Sequence, residues 1–465
     1  MAYYLLRKGY ELCGWEGMPF GLRYPDPQHV DFFDRDEYRL VYALDGRHDI
    51  VEDNLSPAQK DLLNRLKEQH IAVPSGGEER LEPRQEYRRY PALYKKAVNW
   101  SVTGRCNYRC RHCFMSAPDY RGKDLSLAEC RHILDELLSC GIRVVQLTGG
   151  EPLIHPCLTD LLDEIRQRDI LLQVIHSNGR LVDEKLLDEL DRRQMRPAFH
   201  LSFDGAGRHD WLRSVDGAEE AVIRAFRLLH ERGFQTAVSM CLHRHNIGVL
   251  KESVDMLASL GVRHLKMAVA RPEGRWKRET ANFLTQDEAN AAILAYLPQY
   301  VADGMPVSAQ FCGLLDFDRE KRIIRIPSAK FSGQPGEERV FACRAVRNNM
   351  YISASGRVLP CMSMCGTAME PMFESVLEKP LTEILTDSFY REMSRLPMGS
   401  CIGHNERCSA CGYRLLCGAG CRACACAGTG NDYLGIDEEV CHFFRNGWYE
   451  KAKEAAEKYR DSFPR

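Results

Sequence analysis

The spacing of apolar positions changes period several times along the chain, and the changes outline its elements. Between residues 97 and 269 short apolar runs recur at 98–103, 144–148, 171–176, 197–203, 237–242 and 264–269. Their length and β-branched content predict buried strands. Between them the apolar residues take helical spacing, at Leu127–Ser139, Leu158–Gln167, Glu184–Arg192, 218–232 and 248–260, the first behind Ser126 as an N-cap. Strand and helix in alternation predict a parallel sheet with right-handed crossovers. Six repeats make a partial (β/α)6 barrel, an α/β fold short of the closed eight-fold barrel. Ligands of such sheets sit at the C-terminal ends of the strands, so chemistry is expected just after each run.

The flanks read differently. Period-two stretches at Tyr3–Leu6 and 38–44 predict strands. Ser56 caps a predicted helix from Pro57 to about residue 69, with Leu62, Leu63 and Leu66 on one face. A polar linker follows from Gly76 to Arg89. Strands and a helix in under 100 residues suggest a winged-helix-like module over 1–95, ahead of the barrel over 96–305. From about residue 306 to 465 the periodicity dissolves into cysteine, glycine and short turns. Such a segment is expected to lack a large apolar core and to use metal in its place.

Composition narrows the function. A formal net charge of −2 over 465 residues gives no electrostatic case for nucleic acid as the main partner. No apolar run approaches the ~20 residues that cross a bilayer, and the opening Met1-Ala2-Tyr3-Tyr4-Leu5-Leu6-Arg7 lacks the form of a signal peptide. The expectation is a cytoplasmic protein without a membrane partner. Twenty cysteines in such a chain point to metal rather than disulfides. Three lie at 106–113 and twelve between Cys312 and Cys441. The scattered Cys13, Cys130, Cys140, Cys157 and Cys241 read as small core residues.

Behind the first strand comes Cys106-x3-Cys110-x2-Cys113. Tetrahedral zinc wants four ligands. A [4Fe–4S] cluster on three thiolates keeps one iron open for N and O donors. This spacing, after the first strand of a partial barrel, resembles the radical S-adenosylmethionine (SAM) enzymes, with His112 in the position before the last cysteine that is usually aromatic. The resemblance implies that SAM chelates the open iron, is cleaved by an electron from the cluster, and yields a radical that abstracts hydrogen from substrate. Thr148-Gly149-Gly150-Glu151-Pro152 at the second strand end matches the family's motif for the SAM amino group. Ser177-Asn178-Gly179 ends the third strand. Ser202-Phe203-Asp204-Gly205, then His209-Asp210 and Arg213, resembles the sulfatase- and peptide-maturase branch, which implies that Ser202 and Arg213 touch the ribose and carboxylate side of SAM. Turn and capping chemistry accounts equally well for Asp204 and His209.

Farther on, Cys343-x12-Gly356-x4-Cys361, Cys408-x2-Cys411-x5-Cys417-x3-Cys421 and Cys441 resemble the seven-cysteine SPASM pattern. By that resemblance Cys408, Cys411, Cys417 and Cys441 hold one auxiliary [4Fe–4S] cluster, and Cys343, Cys361 and Cys421 hold another, making three clusters in all. The eighth ligand stays open among Cys365, Cys312, Cys424 and Cys426, or is absent and leaves an open iron. SPASM enzymes mostly modify peptides, and their relatives carry a leader-binding module before the barrel that captures an extended peptide at a sheet edge. The resemblance therefore implies a maturase of a ribosomally made precursor peptide, served by a flavodoxin- or ferredoxin-type reductant and most simply closing a thioether. Epimerisation, with Cys312, Cys365 or Cys241 as hydrogen donor, and carbon–carbon or carbon–oxygen crosslinking are the variants. Formylglycine formation on sulfatases is disfavoured, because Met362 rather than a carboxylate follows Cys361. A non-catalytic electron carrier is disfavoured by the intact three-cysteine loop and Gly-Gly-Glu.

Overall fold

The computed structural model describes residues 2–430 and 432–463. Six parallel strands, Ala97–Thr103, Val144–Gly149, Leu171–Ser177, Ala198–Ser202, Thr236–Leu242 and His264–Val269, lie side by side in chain order. Helices Leu127–Ser139, Leu158–Gln167, Glu184–Arg192, Ala218–Glu231 and Leu250–Ser259 connect them. Local chemistry sets several of their starts. Ser126 accepts from the Glu129 amide while Glu129 reaches back to the Ser126 amide, a capping box. One face of the sheet packs under these helices in a continuous core that includes Val145, Leu147, Phe199, Leu201, Val238, Met240, Leu265 and Met267. The alternating positions are Gln146, His176, His200, Ser239, Lys266 and Gln310. A closed barrel fills its lumen with branched apolar side chains. Here that face is polar and borders a cavity of ≈ 260 Å³ lined by His200, Lys266, Gln310 and Asp316 among others.

The sheet extends past the six repeats on both sides. Ser308–Phe311 adds a seventh parallel strand beside His264–Val269 and leads into the antiparallel pair Leu315–Asp318 and Ile323–Arg325. Asn349–Ile352 runs parallel to the first strand on its other edge and pairs with Val358–Leu359. The outermost strands of this eleven-stranded sheet do not meet, so the barrel is open.

The expectation of a coreless segment after residue 306 is corrected. Met350, Tyr351, Ile352, Leu359, Phe373, Ile384, Leu385, Tyr390, Phe443, Phe444 and Trp448 join the same buried core as the barrel. Most of them sit in strands of two to four residues or helices of six to twelve, too short for a clear period.

At the N-terminus, Tyr3–Leu6 pairs antiparallel with Ala72–Ser75, and the helix Pro57–Glu68 starts at Ser56 in a capping box with Gln59. The predicted strand at 38–44 is a helix, Arg35–Tyr42. Alternation of Tyr38, Leu40, Tyr42 and Leu44 suggested a strand, but Asp34 and Glu37 form a capping box, and the buried set Tyr38, Leu40 and Val41 has helical spacing. A sheet ordered Val30–Phe32, Met18–Arg23, Glu11–Glu16, Arg88–Leu93 was not foreseen, and its last strand takes up the end of the supposed linker. This module is bolted down. Trp15 Nε1 donates to the Cys140 carbonyl at 2.9 Å and Arg23 to that of Gly141 at 2.6 Å, while Glu16 accepts from Arg391 at 2.7 Å. Among the described residues no helix is long and apolar enough to cross a membrane.

Candidate active site

The loop after the first strand carries Cys106, Cys110 and Cys113 into one cleft with Tyr108, His112, Gly149, Gly150, Ser177, Asn178, Ser202, Asp204, Arg213 and Cys241. The three sulfurs are each met by an N–H donor. The Tyr108 amide donates to Cys106 Sγ at 3.4 Å, the Ala117 amide to Cys113 Sγ at 3.3 Å, and Arg213 to Cys110 Sγ at 3.7 Å. Donors aimed at sulfur are what cluster thiolates require for charge compensation. Burial pushes the Cys106 thiol up to about 12, so metal binding there must release protons.

The glycines of the second strand end seat the cysteine loop. A Cβ on Gly149 would meet the Thr103 carbonyl at 2.3 Å, and one on Gly150 the Arg105 carbonyl at 2.1 Å. The Gly150 amide donates to Thr103 O and the Glu151 amide to Arg105 O, both at 2.9 Å. Glu151 itself turns away from the cleft and is 1% exposed. Its carboxylate accepts from Ser177 Oγ at 2.9 Å, the Asn178 amide at 2.8 Å and the Leu153 amide at 3.2 Å. Burial pushes this carboxyl up to about 7. Asn178 Nδ2 then donates to Asn107 Oδ1 at 2.7 Å, tying the third strand end to the cysteine loop. Ser177, Asn178 and Glu151 thus brace the floor, and the backbone of Gly149 and Gly150 faces the cleft. Glu151→Ala would strand three buried donors, each costing about 1–3 kcal/mol. We expect it to weaken SAM binding roughly tenfold, about 1.4 kcal/mol, by anaerobic calorimetry, with iron content unchanged.

Asp204, fully buried after the fourth strand, accepts from Arg213 Nε at 2.7 Å and from the Cys241 amide at 2.9 Å. Burial alone would raise the Asp204 carboxyl, but the Arg213 guanidinium and His209 outweigh it and hold it well below the usual carboxylate range. Arg213 therefore bridges Asp204 and the Cys110 sulfur. Ser202 lines the cleft beside it. His112 is pushed down to about 3 by burial, so it is a neutral ring here. Of the cysteines considered as hydrogen donors, Cys241 lines the cleft, within 4.8 Å of His112 and Asp204. The sequence reads Cys241 both as a small core residue and as a hydrogen donor, and its seat near a strand's C-terminal end favours the cleft. Cys312 directly follows the seventh strand and Cys365 is buried beside Tyr351 and Glu370; neither is among the residues lining the cleft.

Two further cysteine groups lie in the C-terminal part. Cys408, Cys411, Cys417 and Cys441 line a single cavity of ≈ 480 Å³ with Ala419 and Ile436, and the Tyr413 amide donates to Cys411 Sγ at 3.4 Å. The Cys361 thiol is buried and faces those of Cys421 and Cys343. Four thiols lining one cavity and three thiols close enough to interact are donor sets that suit iron–sulfur clusters.

Two family models match this chain: the radical SAM superfamily over residues 100–257 and the SPASM iron–sulfur cluster-binding domain over residues 343–412. The protein is a radical SAM enzyme of the SPASM branch, and its cofactors are SAM and [4Fe–4S] clusters. It is 25% identical over 371 residues to the Fe-coproporphyrin III synthase of Methanosarcina barkeri, covering 77% of this chain and 90% of that protein. To the subtilosin biosynthesis protein AlbA of Bacillus subtilis it is 24% identical over 296 residues, 62% of this chain and 60% of that one. Its fold is that of SuiB from Streptococcus suis, solved bound to the precursor peptide SuiA, with a TM-score of 0.65 at 15% identity, covering 94% of this chain and 99% of that one.

Proposed function

We propose that this enzyme matures a ribosomally made precursor peptide in the cytoplasm, oxidising a carbon of the peptide and closing a thioether on it. The observation that carries this reading is the position of Met362. It directly follows Cys361 of the C-terminal cysteine group, yet it lines the same cleft as Cys106, Cys110 and Cys113. A carbon radical formed in that cleft would lie next to a second electron acceptor, which is what net oxidation of a peptide carbon needs. A relative named PqqA peptide cyclase, the bacteriocin biosynthesis protein AlbA and the complex of SuiB with its precursor peptide support the substrate class.

In this reading residues 96–305 form the barrel and 306–465 hold two auxiliary clusters, for three clusters in the chain. Cys106, Cys110 and Cys113 hold the catalytic one, Gly149 and Gly150 present backbone to the SAM amino group, and Ser202 and Arg213 face the rest of SAM. Bound there, a cluster and SAM would supply radical chemistry for taking a hydrogen atom from the peptide. The chain's part is to hold the cysteine loop against Gly149 and Gly150, to keep Arg213 charged against Asp204, and to offer a polar lumen past His176 and His200. A flavodoxin- or ferredoxin-type protein is the reductant.

Residues 1–95 are the proposed leader-docking module. Val30–Phe32 pairs on one side with Met18–Arg23 and ends the four-stranded sheet. Phe33 donates to Phe20 O and Tyr24 to His29 O, so by antiparallel alternation the amides of Val30 and Phe32 point to the open edge. Val30→Pro removes one of them. We expect about tenfold weaker precursor binding by fluorescence anisotropy, with peptide-independent SAM cleavage unchanged. The function itself is tested by mass spectrometry of the precursor encoded beside this gene, produced together with the enzyme. Loss of two hydrogens per ring supports crosslinking, and unchanged mass with unchanged stereochemistry sinks it.

A further inference from the structure

We infer that Cys424 is the fourth protein ligand of the auxiliary site formed by Cys343, Cys361 and Cys421, so that this cluster is closed. The inference deepens the assignment of two auxiliary clusters and rests on it.

Four cysteines compete for the role, and their surroundings separate them. Cys365 is buried beside Tyr351 and Glu370. Cys312 follows the seventh strand and faces Cys241. Cys426 is 2% exposed and packed in the apolar core; it interacts with Arg422 and with Cys421, but no arginine donates to its sulfur among the described contacts. Cys424 alone of the four has its sulfur in hydrogen-bonding contact with that of Cys421. Helix Arg422–Thr429 explains why. Cys421 is its N-cap and Cys424 its third residue, so the two side chains rise on the same face. The resulting C-x2-C spacing is the one this chain uses at Cys110–Cys113 and Cys408–Cys411.

A second feature is independent of the cysteines. Arg271, two residues past the sixth barrel strand, donates from its guanidinium to Cys424 Sγ and pairs with Glu439 at 2.7 Å. An arginine aimed at one sulfur is also found at Cys110, where the more deeply buried Arg213 donates. It compensates a thiolate, not a thiol. On metal binding Cys424 gives its proton to solvent and binds iron as thiolate. A closed cluster accepts an electron but offers no free iron to a substrate thiolate. The thioether sulfur of the proposed reaction would then stay unbound to metal as the bond forms.

The test reads iron, not peptide product, so it fails separately from the functional proposal. Cys106, Cys110 and Cys113 are first replaced by alanine to leave only the auxiliary sites. In that background, ferricyanide oxidation followed by electron paramagnetic resonance is expected to give no three-iron signal. Adding Cys424→Ala should produce that signal with loss of about one iron per chain, the behaviour of a cluster on three thiolates. Adding Cys426→Ala should not. A second measurement leaves Cys424 intact: cyanide added to the reduced background protein should leave its spectrum unchanged. Unaltered iron and spectra in Cys424→Ala, a three-iron signal already present in the background, or a cyanide-shifted spectrum would each overturn the inference.

Discussion

Replacing Cys106 with alanine abolishes 5′-deoxyadenosine formation by the reduced, reconstituted enzyme while the auxiliary clusters survive. The expectation follows from how the loop is built. Three sulfurs on one short loop are each met by N–H donors, and the further cysteine that lines the cleft, Cys241, lies on the fifth strand rather than on that loop. A cluster on two thiolates would not persist, and SAM would lose the iron that holds it. The auxiliary sites share no ligand with this loop, so iron should fall by about a third of its wild-type content rather than to zero. Iron analysis and chromatography of the SAM products check both halves. Cleavage at the wild-type level in Cys106→Ala would remove the catalytic assignment.

The second large effect is on stability. Asp204→Asn should destabilise the fold by about 3–5 kcal/mol, because it leaves the Arg213 guanidinium buried without its counter-charge. Both groups are deeply buried and linked at 2.7 Å. Asp204→Leu with Arg213→Met removes both charges and should cost less than Asp204→Asn alone. The pH dependence has a definite sign. The carboxyl of Asp204 is held below its unfolded value, so its contribution is full above about pH 4 and is lost as pH falls further. Urea midpoints measured on the single and double variants at neutral and acid pH check this. Equal midpoints for wild type and Asp204→Asn at pH 7 would contradict it.

Much of this architecture was legible in the residues, for reasons that differ by region. Within the barrel each strand is a short apolar run and each helix an amphipathic one, and capping residues such as Ser126 mark the starts. Helices Leu127–Ser139, Leu158–Gln167 and Glu184–Arg192 fall where the periodicity puts them. Cysteine spacing is legible because cluster ligands must lie close on short loops. What failed was period without context. Tyr38, Leu40, Tyr42 and Leu44 alternate like a strand, but the Asp34–Glu37 cap decides for helix. After residue 306 the apolar residues pack across sequence separations of hundreds of positions, as where Asn349–Ile352 joins the first barrel strand, and no local pattern carries that. The sequence reads Glu151 as part of the motif for an ammonium; that Ser177, Asn178 and Leu153 donate to its carboxylate is visible only in the fold.

The central claim is that hydrogen is taken from a peptide carbon in the cleft beneath Met362. Deuterium transfer tests it most directly. The precursor peptide is prepared fully deuterated at carbon and turned over anaerobically with SAM, and the 5′-deoxyadenosine is weighed by mass spectrometry. Deuterium in the 5′-deoxyadenosine, matched by a peptide that has lost hydrogen, is the predicted result. Fully protiated 5′-deoxyadenosine beside an unmodified peptide would contradict it.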